Sequence, residues 1–173
     1  LEGAPRWATL REAFDRHQGV TLPESPIWYE PEFRFANFDE FSGLFPSYIY
    51  PWLQTPFGYA ELIRDVVDSL IEQHVRYGEI NFSVARVEQV GHSLEAVLAL
   101  LEAEVERART QGTILKIFAG ISRNQGVEHA TFWVQRVLSA PVIAGFDLHG
   151  LEVGWSADLF REVFAPLREP GKK

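Results

Sequence analysis

Three short apolar runs set the terms for this chain: EINFSVA (79–85), TILKIFAGI (113–121) and PVIAGFDL (141–148). Long stretches with helical periodicity separate them. SLEAVLALLEAEVERARTQ (93–111) carries Ser93 as an N-cap and is stopped by Gly112, and a second helix is expected over 126–138. Short, largely apolar runs of this kind suit strands that helices cover. Strands alternating with helices require right-handed crossovers and a parallel sheet covered by helices. The expectation is an α/β fold built from βα units of roughly 30 residues.

Upstream, PRWATLREAFDRH (5–17) reads as a helix, with Pro5 at its start and Gly19 past its end. Trp7, Leu10 and Phe14 share one face. TLPESPIWYEPEF (21–33) holds three prolines and is expected as a loop. In FANFDEFSGLFPSYIYPWL (35–53), Phe38, Phe41 and Phe45 fall on one side of a short helix that Pro46 interrupts. Those rings either pack the helix onto the core or form the apolar wall of a pocket. Thr55-Pro56 is expected to start a helix over 57–75, whose stripe is Tyr59, Leu62, Ile63, Val66, Val67, Leu70 and Ile71. A last helical stretch is expected over 157–168.

The 173 residues suffice for one domain with a core. A net charge of -8 argues against a nucleic-acid partner, whose backbone recruits Lys and Arg. No apolar run reaches membrane-spanning length, and the start does not read as a signal peptide. The absence of cysteine removes disulfides and thiolate zinc sites, which is compatible with a cytoplasmic enzyme. The chain opens on Leu1 and holds no Met. A cleaved piece, a fragment or a sequence lacking a non-standard residue is therefore expected.

In parallel α/β folds chemistry gathers at the carboxyl ends of strands. The candidates there are Ser83, Arg86, Ser122, Arg123, Asn124, Asp147, His149, Gly150 and Glu152. The five histidines show neither HxH nor HxxxH spacing, so a complete metal site inside the chain is not expected. Asp147 and His149 are two apart on an extended segment and could hydrogen-bond, but no nucleophilic elbow accompanies them. Asp147 fits a structural role at a barrel rim equally well. GxGxxG is absent. Gly150 serves either as a plain turn or as a point where the backbone N–H approaches a ligand.

Leu1 to Ala4, Thr55-Pro56 with Val75 to Ser83, Val142 to Glu152 and 164–169 lie in an order that resembles the adenosine deaminase-like family of zinc aminohydrolases. Leu1-Glu2-Gly3-Ala4 resembles the end of the family's first-strand motif, His-x-His-Leu-Asp/Glu-Gly. Thr55-Pro56, the helix after it, and Val75 to Ser83 (VRYGEINFS) resemble "TPEDF…VRYAEVRFSP". Val142 to Glu152 resembles "VVGIDLAGDE", and 164–169 (FAPLRE) resembles the helix before "HAGE". The resemblance covers essentially the whole chain. It implies part of a (β/α)8 TIM barrel, from just after strand 1 through the helix after strand 4, so that 1–173 would be a partial domain, incomplete at both ends. The implied activity is hydrolytic deamination of a purine base, nucleoside or related amino-heterocycle, with a zinc-activated water displacing ammonia. The zinc ligands and the acid/base residue would lie outside this segment, leaving no catalytic and no metal residue here. Gly150 would donate its N–H to a purine ring nitrogen, and Glu2 would contact the substrate beyond the base. Phe41 and Phe45 are taken as an apolar pocket wall. The implied partners are a purine-like small molecule and the remainder of the barrel, with no nucleic acid and no membrane. Glu2 in place of the nucleoside-type Asp, Asn81 in place of Arg, and His149 and Leu151 in "DLHGLE" depart from the adenosine pattern. The alternative is a catalytically silent, deaminase-like scaffold or ligand-binding subunit.

Overall fold

The computed structural model describes residues 1–168 and divides them into two compact units, Leu1–Ser69 and the residues from Leu70 onward. The first unit contains α1 (Trp7–Gln18), α2 (Phe38–Ser42), a π turn over Phe45–Ile49, α3 (Tyr50–Leu53) and most of α4 (Gly58–Glu72). Gly19 ends α1 in the left-handed region, with φ 64°, and its N–H caps the carbonyl of Asp15. Trp7, Leu10 and Phe14 are buried as their shared face predicts, together with Trp52, Leu53, Tyr59, Leu62 and Ile63.

Two carboxylates one turn apart on α4 tie α1 down. Asp65, 4% exposed, accepts from the Arg6 backbone N–H (2.8 Å), the Arg6 Nε (2.6 Å) and the Thr9 hydroxyl (2.6 Å). Glu61 accepts from Arg16 Nη1 (2.6 Å) and Trp52 Nε1 (2.9 Å). Asp65→Ala would strip the Arg6 N–H of its partner at the start of α1. Its expected cost is about 3 kcal/mol of folding stability, the scale of breaking a buried charged network. Urea unfolding of Asp65→Ala beside Asp65→Asn reads this. An Asp65→Ala midpoint equal to wild type would show that the network contributes nothing.

The second unit is the parallel sheet that the alternation requires. β1 (Tyr77–Ser83), β2 (Ile114–Ser122) and β3 (Ile143–His149) lie in the order β1-β2-β3, both pairings parallel. After β1 come α5 (Val84–Gln89) and α6 (Leu94–Thr110); α7 (Val127–Val137) follows β2, and all three helices pack on β2. Ser93 caps α6 by accepting from the Ala96 N–H at 3.2 Å. Ile80, Phe82, Leu115, Ile117, Ala119, Ile121 and Ile143 are buried. The register shifts between Ile117 and Phe118, so that Gly120 lies opposite Asp147 and Ser122 opposite His149.

Three local expectations are corrected. The run 79–85 was expected to stay extended to Ala85, but the strand stops at Ser83 and α5 begins at once. Val84 and Val87 are buried at i, i+3 spacing, a helical face written in β-branched residues that favour strands elsewhere. The helix expected from Thr55-Pro56 begins at Gly58. Thr55 contributes its carbonyl to the Gly58 N–H (3.1 Å), while its buried hydroxyl has no hydrogen-bond partner among the described residues. Over 157–168 the structure has two 3-10 turns, Ala157–Phe160 and Ala165–Arg168, instead of one helix. Pro166, inside the second turn, has no N–H to donate to the carbonyl four residues back, so an α-helical bond is missing there. Glu169, the last residue of the FAPLRE resemblance, lies outside the described residues. Among the described residues no helix is long and apolar enough to cross a membrane.

Candidate functional site

Alternation along the strands puts Asn81, Ser83, Phe118, Gly120, Ser122, Asp147 and His149 on one face of the sheet. Gly120 organises the middle of that face. A Cβ there would stand 2.3 Å from Asn81 Oδ1, 2.9 Å from the Phe82 carbonyl and 3.1 Å from His149 Nε2. The missing side chain lets Asn81 reach from β1 across β2, where its Nδ2 donates to Asp147 Oδ2 on β3. Asp147 is thereby engaged by Asn81, and no Asp147–His149 hydrogen bond forms. The shared face brings the two residues near each other, but Asn81 takes the carboxylate. His149 Nε2 is buried, with no hydrogen-bond partner among the described residues.

The carboxyl end of β3 turns at Gly150, whose φ of +102° lies where side chains with a Cβ are strained. Gly150 is exposed, and Asn124 presses against it: a Cβ on Gly150 would come 2.5 Å from Asn124 Oδ1 and 3.5 Å from Ser122 Oγ. Asn124 belongs to the 3-10 turn Arg123–Gln125, and the Ser122 hydroxyl donates to its Oδ1 at 2.8 Å. The ends of β2 and β3 thus bring Ser122, Asn124 and Gly150 together.

Arg123 does different work. Its side chain is buried, with Nη2 donating to the Leu148 carbonyl (2.8 Å) and Nη1 to the Trp155 carbonyl (3.4 Å), and an exposed Glu152 carboxylate lies 3.5 Å from Nη1. One guanidinium therefore grips both ends of the loop that carries Gly150, and a fork of fixed donors suits that role. Glu152 projects into solvent. Ser83 occupies the N-cap position of α5 without a side-chain cap bond, and Arg86 lies within α5. The imidazole of His129, pushed below its ordinary range by burial, belongs to α7 and not to a strand end.

The remaining expected site residues fall in the first unit. Glu2 is buried and accepts from the Tyr59 hydroxyl at 3.5 Å. The ring of Phe45 lies 3.4 Å from where a Cβ on Gly3 would be. Phe41 and Phe45 meet edge to face at 6.0 Å, and Phe35 joins Phe41 at 5.5 Å. Phe38 and Phe41 are exposed among the described residues. Phe41 and Phe45 line a cavity of about 260 Å³, along with Trp7, Trp28, Phe35 and Tyr48. Sequence reasoning did not find the indole and phenol walls. Trp7 is on the buried face of α1, Trp28 lies in the loop, and only the fold joins them, at 5.3 Å.

Among the described residues no group of three or more His, Asp or Glu side chains could hold a metal ion.

No family model matches the chain, and no curated protein matches it. Solved structures do. An adenine deaminase from Arthrobacter aurescens superposes with a TM-score of 0.79 at 22% identity, over 99% of this chain and 53% of that one. An amidohydrolase from Burkholderia ambifaria, crystallised with bound zinc, gives 0.73 at 18% identity, over 94% and 45%. The Arabidopsis protein ADAL, in complex with IMP, gives 0.65 at 18% identity, over 94% and 51%. The chain spans about half the length of the solved structures it matches. Over that half its fold is similar to theirs.

Proposed function

We propose that this chain is part of an adenosine deaminase-like (β/α)8 barrel, a zinc-dependent hydrolase that releases ammonia from a purine base, nucleoside or related amino-heterocycle. The observation that carries the reading is the likeness along nearly the whole chain to a deaminase, with the family-like VIAGFDLHGLE segment running along β3 into a turn at its exposed, close-packed glycine. Residues 1–173 then form one portion of a domain. The remainder of the barrel pairs the outer edges of β1 and β3, which are the sheet's edges among the described residues. Zinc and its ligands belong to that remainder, as does the group that moves protons at the reacting carbon.

The residues here bind and shield. Gly150 donates its N–H to a ring nitrogen of the heterocycle. Phe41 and Phe45 cover an apolar edge and exclude water. The Glu2 carboxylate meets the substrate beyond the base. The purine-like molecule is the ligand, nucleic acid and membrane have no part in the reading, and the protein works in the cytoplasm.

The test is ammonia release by the full-length protein from adenine, adenosine and related amino-purines, read beside elemental analysis. At least one amino-purine should be turned over by protein that carries zinc, with loss after chelation and recovery on zinc addition. Zinc-free protein that releases no ammonia from any of them would favour the silent scaffold.

A further inference from the structure

Asn124 stands beside Gly150 with its amide already half committed. The Oδ1 takes the Ser122 hydroxyl at 2.8 Å and lies against the open side of Gly150, 2.5 Å from where a Cβ would be. Asn124 is exposed, and among the described residues its Nδ2 has no partner. An amide whose oxygen is pinned inward presents its two N–H donors on the other side. The hydroxyl that pins it comes from the last residue of β2, a rigid element, so the donor is held in place before any ligand arrives.

We infer that Asn124 is a specificity-determining residue. Its Nδ2 donates to a second acceptor on the ligand that Gly150 contacts, and Ser122 is the positioning residue that sets the amide's orientation. The inference rests on the proposed substrate-facing role of Gly150. It narrows the ligand class: the heterocycle, or the group attached to it, carries two acceptors close enough for neighbouring donors from the β2 and β3 ends. A ligand bearing only one of them leaves a donor of this pair unmet, and sites built to hydrogen-bond a polar group discriminate strongly against analogues that lack it.

The experiment uses the full-length protein with Asn124→Asp, Asn124→Ala and Ser122→Ala, assayed for turnover of the best amino-purine and of its ring-deaza analogues. Thermal unfolding accompanies each variant. Asn124→Asp keeps the size and the oxygen but replaces the donor with an acceptor, and should raise KM about 100-fold with kcat within about threefold. Asn124→Ala should raise KM about tenfold and Ser122→Ala about threefold, all three with wild-type melting temperatures. One deaza analogue, the one lacking the second acceptor, should be bound poorly by wild type and lose little more in Asn124→Ala. If wild type binds amino-purines without turning them over, Kd replaces KM and the same pattern sustains the inference, although the deaminase reading falls. An active wild type whose KM is unmoved by Asn124→Asp overturns the inference and leaves that reading standing. A fall in kcat with KM unchanged also overturns it. A wild type that neither binds nor converts any amino-purine overturns both.

Discussion

On the proposed reading, Gly150→Val in the full-length protein is expected to lower kcat/KM for an amino-purine about 100-fold or more while leaving the fold largely intact. Two costs combine. A β-branched residue held at φ +102° costs on the order of 1–3 kcal/mol, and the strand end can relieve that only by rotating the backbone N–H away from its aim. The new Cβ would also sit 2.5 Å from Asn124 Oδ1. Asn124 is an exposed side chain and can swing aside, which spares the core but removes its own donor from the site. Loss of one aligned hydrogen bond to a neutral acceptor is worth about 0.5–1.5 kcal/mol, so the donor alone explains no more than about tenfold. The excess over tenfold measures backbone rotation and crowding. Steady-state kinetics beside thermal unfolding separates the readings. Unchanged efficiency removes Gly150 from the site. A collapsed melting temperature with normal activity per folded molecule makes it a plain turn glycine.

Fold and site were unequally legible in the sequence. The parallel sheet was readable because EINFSVA, TILKIFAGI and PVIAGFDL are short and largely apolar and because Ser93 and Gly112 bracket a helix of helical period between two of them. Those are local signals, and the structure realises them within a residue or two. What failed was also local, but ambiguous. VARVEQ carries β-branched residues at helical spacing, and propensity and period point in opposite directions until packing on β2 decides. Pro166 was visible in the last stretch, yet the helical reading ran through it.

The site was legible as a set of positions but not as an arrangement. The strand-end rule selected Ser122, Asn124 and Gly150 one by one; their mutual contact depends on the register of β2 against β3, and that register includes a shift no sequence pattern marks. The same limit explains Asp147. Its position two residues before His149 suggested a partner along the strand, whereas its hydrogen bond comes from Asn81, 66 residues earlier and two strands away, across a glycine whose role is to have no side chain. The aromatic cavity is a further case: Phe41 and Phe45 stand out as a spaced pair, but Trp7 and Trp28 join the cavity wall from two other segments, both against Tyr48 of Phe45's own turn.

Gly58→Ala tests the packing of the first unit, and the sign of its effect is diagnostic. Gly58 begins α4, and no positive φ requires a glycine there. On helix propensity alone, alanine should stabilise the protein, by up to about 1 kcal/mol. The geometry demands the reverse. A Cβ at this position would lie 2.3 Å from the Trp52 carbonyl oxygen and 2.7 Å from the Leu53 Cα. Both obstacles are backbone, and both residues are wholly buried, so no side chain can swing away to make room. Either α3 or the start of α4 must shift. A shift in α4 disturbs the Glu61 acceptor 2.9 Å from Trp52 Nε1 and the burial of Tyr59, Leu62 and Ile63 one to two turns on. Overpacking of a well-filled core costs about 1–3 kcal/mol and more where backbone must move, so a net loss of roughly 3 kcal/mol is expected from this single methyl group. Urea unfolding of the full-length protein measures it. A Gly58→Ala protein as stable as wild type, or more so, would mean that α3 and α4 do not approach this closely and that helix propensity governs the position.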